Sequence, residues 1–264
     1  MKKLLLIGTV LLTANSAVAN VYDILTWGSG SISGGQKLEI TGTSRTNQNW
    51  KADNTGININ LNINGSDGIN TNSLPTNNFD SSKWNNSSAL AALTESSGRQ
   101  KSDFSGLTSG LYVGGKTSQA TNGAQFSFSG FEQDKKYKLT LLVNSHTGNL
   151  NVRTQGSGVS GKGLDIVCQY GDMAGQDWTK VTNAFQGAQV KANSQTLVSF
   201  DITATSGDNA LILFFDNVTT SSGVSASAID FIAIGAIPEP SAFGMLAGLG
   251  ALAFVGARRR RNRR

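Results

Sequence analysis

Residues 56–65 of this chain alternate without a break: Ile57, Ile59, Leu61 and Ile63 take one set of positions, four asparagines the other. A strand sends successive side chains to opposite faces, so this segment reads as a strand with one apolar face and one amide face. Further apolar or alternating runs span 124–129, 137–144, 150–154, 164–170, 196–205, 210–216 and 226–234. Clusters of Gly, Asn, Asp or Ser bound each one, and these are the residues that make turns. Within 196–205, Leu197, Ser199, Asp201 and Thr203 alternate with Val198, Phe200, Ile202 and Ala204, which predicts one polar and one apolar face. Leu211-Ile212-Leu213-Phe214-Phe215 is apolar throughout, the pattern of a central strand covered on both sides. Only 87–95, with Ala89, Leu90, Ala91, Ala92 and Leu93, reads as a helix, and a short one.

Many short strands with polar turns predict an all-β fold, a sandwich of jelly-roll type. Segment 44–86 has its own texture, with thirteen asparagines between Asn47 and Asn86. It reads as a pair of edge strands with long loops, or as a small insertion. Asparagine rows also ladder between the coils of a β-solenoid. No repeat of roughly 20 to 30 residues accompanies them, so the solenoid is the second choice.

The two ends are built differently. Lys2 and Lys3 precede an apolar run, 4–12, that is too short to span a bilayer, and Ala17-Val18-Ala19 puts small residues at −3 and −1. Together they predict a signal peptide, 1–19, cleaved between Ala19 and Asn20. At the other end Pro238-Glu239-Pro240-Ser241 interrupts the chain, since proline lacks an N–H and fixes φ. Residues 241–257 then carry no charge and predict a transmembrane helix of about 26 Å, the short end of a membrane span. Arg258, Arg259, Arg260, Arg261, Arg263 and Arg264 follow, a cytoplasmic stop by the positive-inside rule. The Gly244/Gly248 pair suits such an anchor without implying helix pairing.

In this combination residues 237–264 resemble the PEP-CTERM sorting signal of Gram-negative bacteria. The resemblance implies processing by an exosortase near the Pro-Glu-Pro motif, 238–240. The expected partners are therefore signal peptidase, the exosortase and, before processing, the membrane. The expected location is the cell surface, outer membrane or extracellular matrix after a transient stage in the inner membrane. The body, 20–236, more loosely resembles jelly-roll, galactose-binding-like or lectin-like domains in its closing strands.

Charge changes little once the ends are set aside. The chain is formally +5, yet residues 20–237 hold 14 basic and 16 acidic residues. A near-neutral body gives no reason to expect nucleic acid. Cys168 is the sole cysteine, within a strand-like run and without a basic neighbour, so it reads as a buried hydrophobe. His146, the sole histidine, sits in a turn, and no zinc-ligand spacing or nucleophile elbow is present.

No catalytic set emerges, and the expectation is a protein that is not an enzyme. Asp165, Asp172 and Asp177, and likewise Asp201, Asp208 and Asp216, are the carboxylates from which a glycosidase pair could be drawn. Turn aspartates that cap backbone N–H groups explain most of them equally well. No cofactor is expected, although the oxygen-rich loops leave room for a structural calcium ion. Trp50, Trp84 and Trp178 each stand beside Asn, Gln or Asp, the pairing of ring face and hydrogen-bonding group that a sugar needs. The function expected is a non-catalytic surface or matrix protein binding extracellular polysaccharide. A purely structural coat or biofilm protein and a carbohydrate-active enzyme are the alternatives.

Overall fold

The computed structural model describes residues 21–27, 32–38, 48–63, 86–107, 111–112, 123–145, 150–155, 164–172, 179–181, 188–190, 194–204, 210–217 and 227–238. Val21–Ile237 is one compact unit, and Met1–Asn20 and Pro238–Arg264 belong to another. The predicted signal peptide and transmembrane helix lie outside the described residues. Among the described residues no helix is long and apolar enough to cross a membrane.

The body opens with β1 (Val21–Thr26), β2 (Gln36–Lys37), β3 (Gln48–Lys51) and β4 (Asn58–Ile63), then helix α1 (Ser87–Ser97) and a 3-10 turn (Lys101–Phe104). There follow β5 (Leu111–Tyr112), β6 (Gly123–Ser129), β7 (Lys136–Ser145), β8 (Leu150–Gln155) and β9 (Leu164–Asp172). The chain closes with β10 (Thr179–Val181), β11 (Ala188–Val190), β12 (Ser194–Ala204), β13 (Ala210–Asn217) and β14 (Ser227–Ile237).

These strands form two sheets. The first runs β10-β9-β12-β7-β14-β1-β2, with β5 also paired to β14. The second runs β11-β8-β13-β6-β4-β3. From β6 to β9 and again from β11 to β14, successive strands change sheets, as in a jelly roll. The parallel β1–β2 contact is an exception among antiparallel pairings. The all-β sandwich expectation is met and the solenoid is not, because neighbouring strands run antiparallel instead of stacking as parallel coils.

Alternation fills the interior from both sides. Leu139, Leu141 and Val143 of β7, and Val198, Phe200 and Ile202 of β12, meet Ile59 and Leu61 of β4 and Phe126 and Phe128 of β6 in one buried cluster. Cys168 belongs to it, and burial pushes its thiol up to about 12, so it packs as a hydrophobe. One seam between the sheets is closed by hydrogen bonds. Asp23, buried in β1, accepts from the backbone N–H groups of Asn54 (2.9 Å) and Thr55 (2.7 Å) in the turn after β3, and from both side chains. A buried carboxylate is tolerable when its oxygens are this fully engaged. Gln36 Nε2 adds a bond from β2 to the Lys51 carbonyl, 3.0 Å away.

The first sheet is covered on its outer face as well. Ala89, Ala92, Leu93, Ser96 and Ser97 lie at helical spacing on the buried side of α1. That side packs on β14, β7 and β1. Leu142, Leu197, Phe231, Ala233 and Ile24 from the sheet join Ala89, Leu93 and Phe104 in a second cluster. Asn86 caps the helix, its side-chain oxygen accepting from the N–H groups of Ser88 and Ala89 at 3.0 Å. Gly98 ends it in the left-handed region at φ 63°. A Cβ at Gly235 would come within 2.6 Å of the Glu95 carbonyl oxygen, so glycine is what lets the helix end lie on β14.

A β-bulge makes the two clusters compatible. Ile229 pairs with Val143 while Phe231 pairs with the adjacent Leu142, leaving Asp230 as the extra residue. Ile229, Ile232 and Ile234 therefore reach the interior, and Phe231 and Ala233 reach the helix. Strict alternation would have put Ile229 and Phe231 on one face.

Candidate functional site

The expected site residues fare unequally. Trp50 falls on the interior-facing side of β3, in register with Ile59, and is packed against the core. Its ring meets Trp27 edge-on at 6.5 Å between centroids, and Trp27 in turn meets Phe126 at 6.2 Å. Trp84, Trp178, His146, Asp177 and Asp208 lie outside the described residues. Asp165 and Asp172 are in β9 of the first sheet and Asp216 is in β13 of the second. The processing residues Glu239, Pro240 and Ser241, the arginines 258–261, 263 and 264, and the cleavage residues Ala17, Ala19 and Asn20 also lie outside the described set.

Two polar surfaces can be built from what is described, one on each sheet. On the outer face of the first sheet, Lys138 of β7 lies across from Asp201 of β12. Its side chain is only 7 % exposed, yet Nζ is 2.6 Å from Asp201 Oδ1 and 3.0 Å from Glu95 Oε2 on α1. Gln169 of β9 donates its amide to the other Asp201 oxygen. Next to this group Thr140 donates to Ser199, 3.1 Å away and fully buried. Burial pulls the Lys138 pKa down, but the hydrogen bonds and charges of Asp201 and Glu95 outweigh it, and the net shift is upward. The cluster ties the helix end to the sheet beside Gly235. Its charges face one another, and its lysine is held in the protonated form, which is a structural use and leaves no free base.

The outer face of the second sheet is different in kind. Register places Asn49, Asn60, Ser127, Ile212 and Gln155 in one row across β3, β4, β6, β13 and β8. A second row runs Asn62, Gln125, Phe214 and Arg153, and a third Lys51, Asn58, Ser129 and Ala210. Asn49, Lys51 and Asn58 are exposed, while Asn60, Ser127 and Ser129 are half-buried. Asn60 Nδ2 donates to Asn49 Oδ1, linking neighbouring strands through their amides. Among the described residues no helix packs on this side.

Sequence reading found the amide row of β4 but not its neighbours. The alternation of 56–65 was the usable signal. In 210–216 the same signal is hidden, because Ile212 and Phe214 are apolar like Leu211 and Leu213 beside them. Among the described residues there is no group of three His, Cys, Asp or Glu arranged to hold a metal ion.

The fold and the tail together define an exported β-sandwich bearing a C-terminal sorting signal. That signal is the PEP-CTERM protein-sorting motif, which the chain matches over residues 236–261. It marks an exported protein whose processing partner is an exosortase. No curated protein matches the chain. Among solved structures, the CBM22-1–GH10 modules of Clostridium thermocellum xylanase 10B with xylohexaose align at 18 % identity over 49 % of this chain and 22 % of that one. The CBM22-1 xylan-binding domain of Paenibacillus barcinonensis Xyn10C aligns at 14 % identity over 50 % and 74 %. Tailspike protein 4 of bacteriophage CBA120 aligns at 10 % identity over 66 % and 19 %. Each has a TM-score of 0.29, which assigns no site and no ligand to this chain.

Proposed function

We propose that the processed body is a non-catalytic protein of the cell surface or extracellular matrix that binds extracellular polysaccharide. The observation that carries this reading is the exposed amide-and-hydroxyl surface of the second sheet, on a chain addressed for export. Asparagine side chains offer a donor and an acceptor together, as do sugar hydroxyls, so the two can exchange hydrogen bonds without burying a net charge. The buried charged groups Asp23 and Lys138 serve the fold: Asp23 closes a seam, and Lys138 with Asp201 and Glu95 anchors a helix. No cofactor is needed for such a role. The test is retention of the full-length chain, held in mild detergent, on a panel of immobilised polysaccharides that includes the producing cell's own matrix. Specific retention on at least one is the expected outcome; passage through all of them would overturn the reading.

A further inference from the structure

We propose that β14 is a tension-bearing strand: the processed body stays held at the surface or in the matrix through its C-terminal end, and a pull entering at Ile237 shears β14 against its neighbours instead of peeling it away. The inference rests on the surface-or-matrix reading for the origin of the pull. It is independent of what the body binds.

The strand that leads to the sorting signal is the one most firmly enclosed. β14 stays paired to its last residue, where Ile237 lies opposite Lys136, and the matched sorting motif already begins at residue 236. A strand on a sheet edge would peel under tension, one rung after another. β14 instead lies between β7 and β1. It is in register with β7 from Ser227 to Ile237 around the bulge, and with β1 from Phe231 to Ala236. Both of its faces are covered by described side chains. Ile229, Ile232 and Ile234 are packed in the sandwich interior, and Phe231 and Ala233 lie beneath α1.

The charged cluster of the first sheet sits where such a pull would enter. Gly235 is flanked in register by Tyr22 of β1 and by Lys138 of β7. The last turn of α1 rests on Gly235, and the Tyr22 ring lies against Gly98 at the end of that helix. Lys138 extends the same row to Asp201 of β12 and also reaches Glu95 of α1. The exit of β14 is therefore bordered by ties among β7, β12 and α1. That gives a buried lysine a use at this position that a hydrophobe would not serve.

The direction of the pull decides which bonds resist it. Ladder hydrogen bonds run perpendicular to antiparallel strands. Tension along β14, answered from the far end of the sheet, loads the bonds to both neighbours together. Val21 lies opposite Ala236, so tension between the two chain ends opens the β1–β14 pair from its mouth. The body accordingly has one strong axis and one weak axis.

The test is single-molecule force spectroscopy on the full-length chain in mild detergent, loaded along each axis in turn. Cys168 is buried with its thiol pushed up to about 12, so the thiol introduced by Ser194→Cys takes a handle selectively. Ser194 is half-buried and lies in the row Ser194, Ser145, Ser227, at the opposite end of the strands from the row Thr203, Lys136, Ile237. Handles at position 194 and Arg264 shear β14; handles at Met1 and Arg264 unzip it. The shear geometry should need at least about threefold the force, because its ladder bonds yield together and not in succession. Lys138→Met should lower the shear force by about a quarter and leave the unzipping force unchanged, since its tie to Asp201 joins β7 to β12. Equal forces along both axes would overturn the proposal. An equal fall along both axes in Lys138→Met would remove the lysine from the anchor and leave it a part of overall stability. Neither outcome alters polysaccharide retention, and a failure of retention leaves these forces as they are.

Discussion

The two outer faces of the sandwich carry the same backbone scaffold and opposite chemistry. On the first sheet, Ile24, Leu142, Leu197, Phe231 and Ala233 make an apolar field that α1 and Phe104 seal. Its polar members, Lys138 with Asp201 and Glu95, and Thr140 with Ser199, are satisfied by each other. On the second sheet the described outer positions are Asn49, Lys51, Asn58, Asn60, Ser127 and Ser129, none of them fully buried. A sheet needs one buried face for stability and gains more from a second. A face left polar contributes little to folding and is available for recognition. The comparison teaches where stability and function are invested, and mutations on the two faces should separate accordingly.

The largest effect is expected from Phe231→Ala. Phe231 is fully buried beneath the helix, and its ring lies 4.6 Å from that of Phe104. Loss of a core phenylalanine costs about 3–5 kcal/mol, so chemical denaturation should show a large drop in midpoint. Gly235→Ala comes next. The new Cβ would meet backbone atoms of Glu95 and Ser96 at 2.6 and 2.9 Å, which cannot rotate away. The helix end must lift, at about 2–3 kcal/mol. A Gly235→Ala protein as stable as the parent would show that the helix is only loosely seated.

Lys138→Met should cost about 2 kcal/mol. Removing one partner of a fully buried pair costs roughly 3–5, but here Asp201 is 33 % exposed and Glu95 58 % exposed, so water takes over part of the loss. The same lysine sets a pH dependence. Its pKa is raised in the folded protein, so its contribution is complete below the unfolded lysine value of about 10.4 and fades as pH climbs through the folded value. As pH climbs above the unfolded lysine value of about 10.4, the parent should lose stability more steeply than Lys138→Met, as read by urea midpoints. Parallel curves would mean that the ion pair contributes nothing.

How much of this was legible in the sequence depends on the range of the interaction. The helix was legible through Ala89, Ala92 and Leu93, but its last turn was not. Ser96 and Ser97 lie buried there because each hydroxyl bonds back to a helix carbonyl, at 2.9 Å to Ala92 and 2.6 Å to Leu93. Strand β1 was passed over, since Asp23 on an interior face makes sense only with Asn54 and Thr55, more than thirty residues away. The bulge at Asp230 left no trace in the pattern of 226–234. The expected glycan tryptophans were chosen by their polar neighbours in sequence, and for Trp50 the adjacent Asn49 occupies the other side of the strand. Asn49 points out and Trp50 points in. The amide surface could be read in one strand only, because its other members come together through pairing across the second sheet.

The smallest effect on folding, and the sharpest test of the comparison, belongs to Asn58 and Asn60. Asn58 is exposed and Asn60 half-buried, and the described bond of Asn60 to Asn49 lies at an exposed position. A solvent-facing amide pair exchanges readily with water, so replacing both residues by alanine should change stability by less than about 0.5 kcal/mol. A melting curve that overlays the parent, together with weakened glycan retention, would place recognition and stability on opposite faces. A substantial loss of stability would mean instead that the amide rows hold the second sheet together, as Leu142 and Phe231 hold the first.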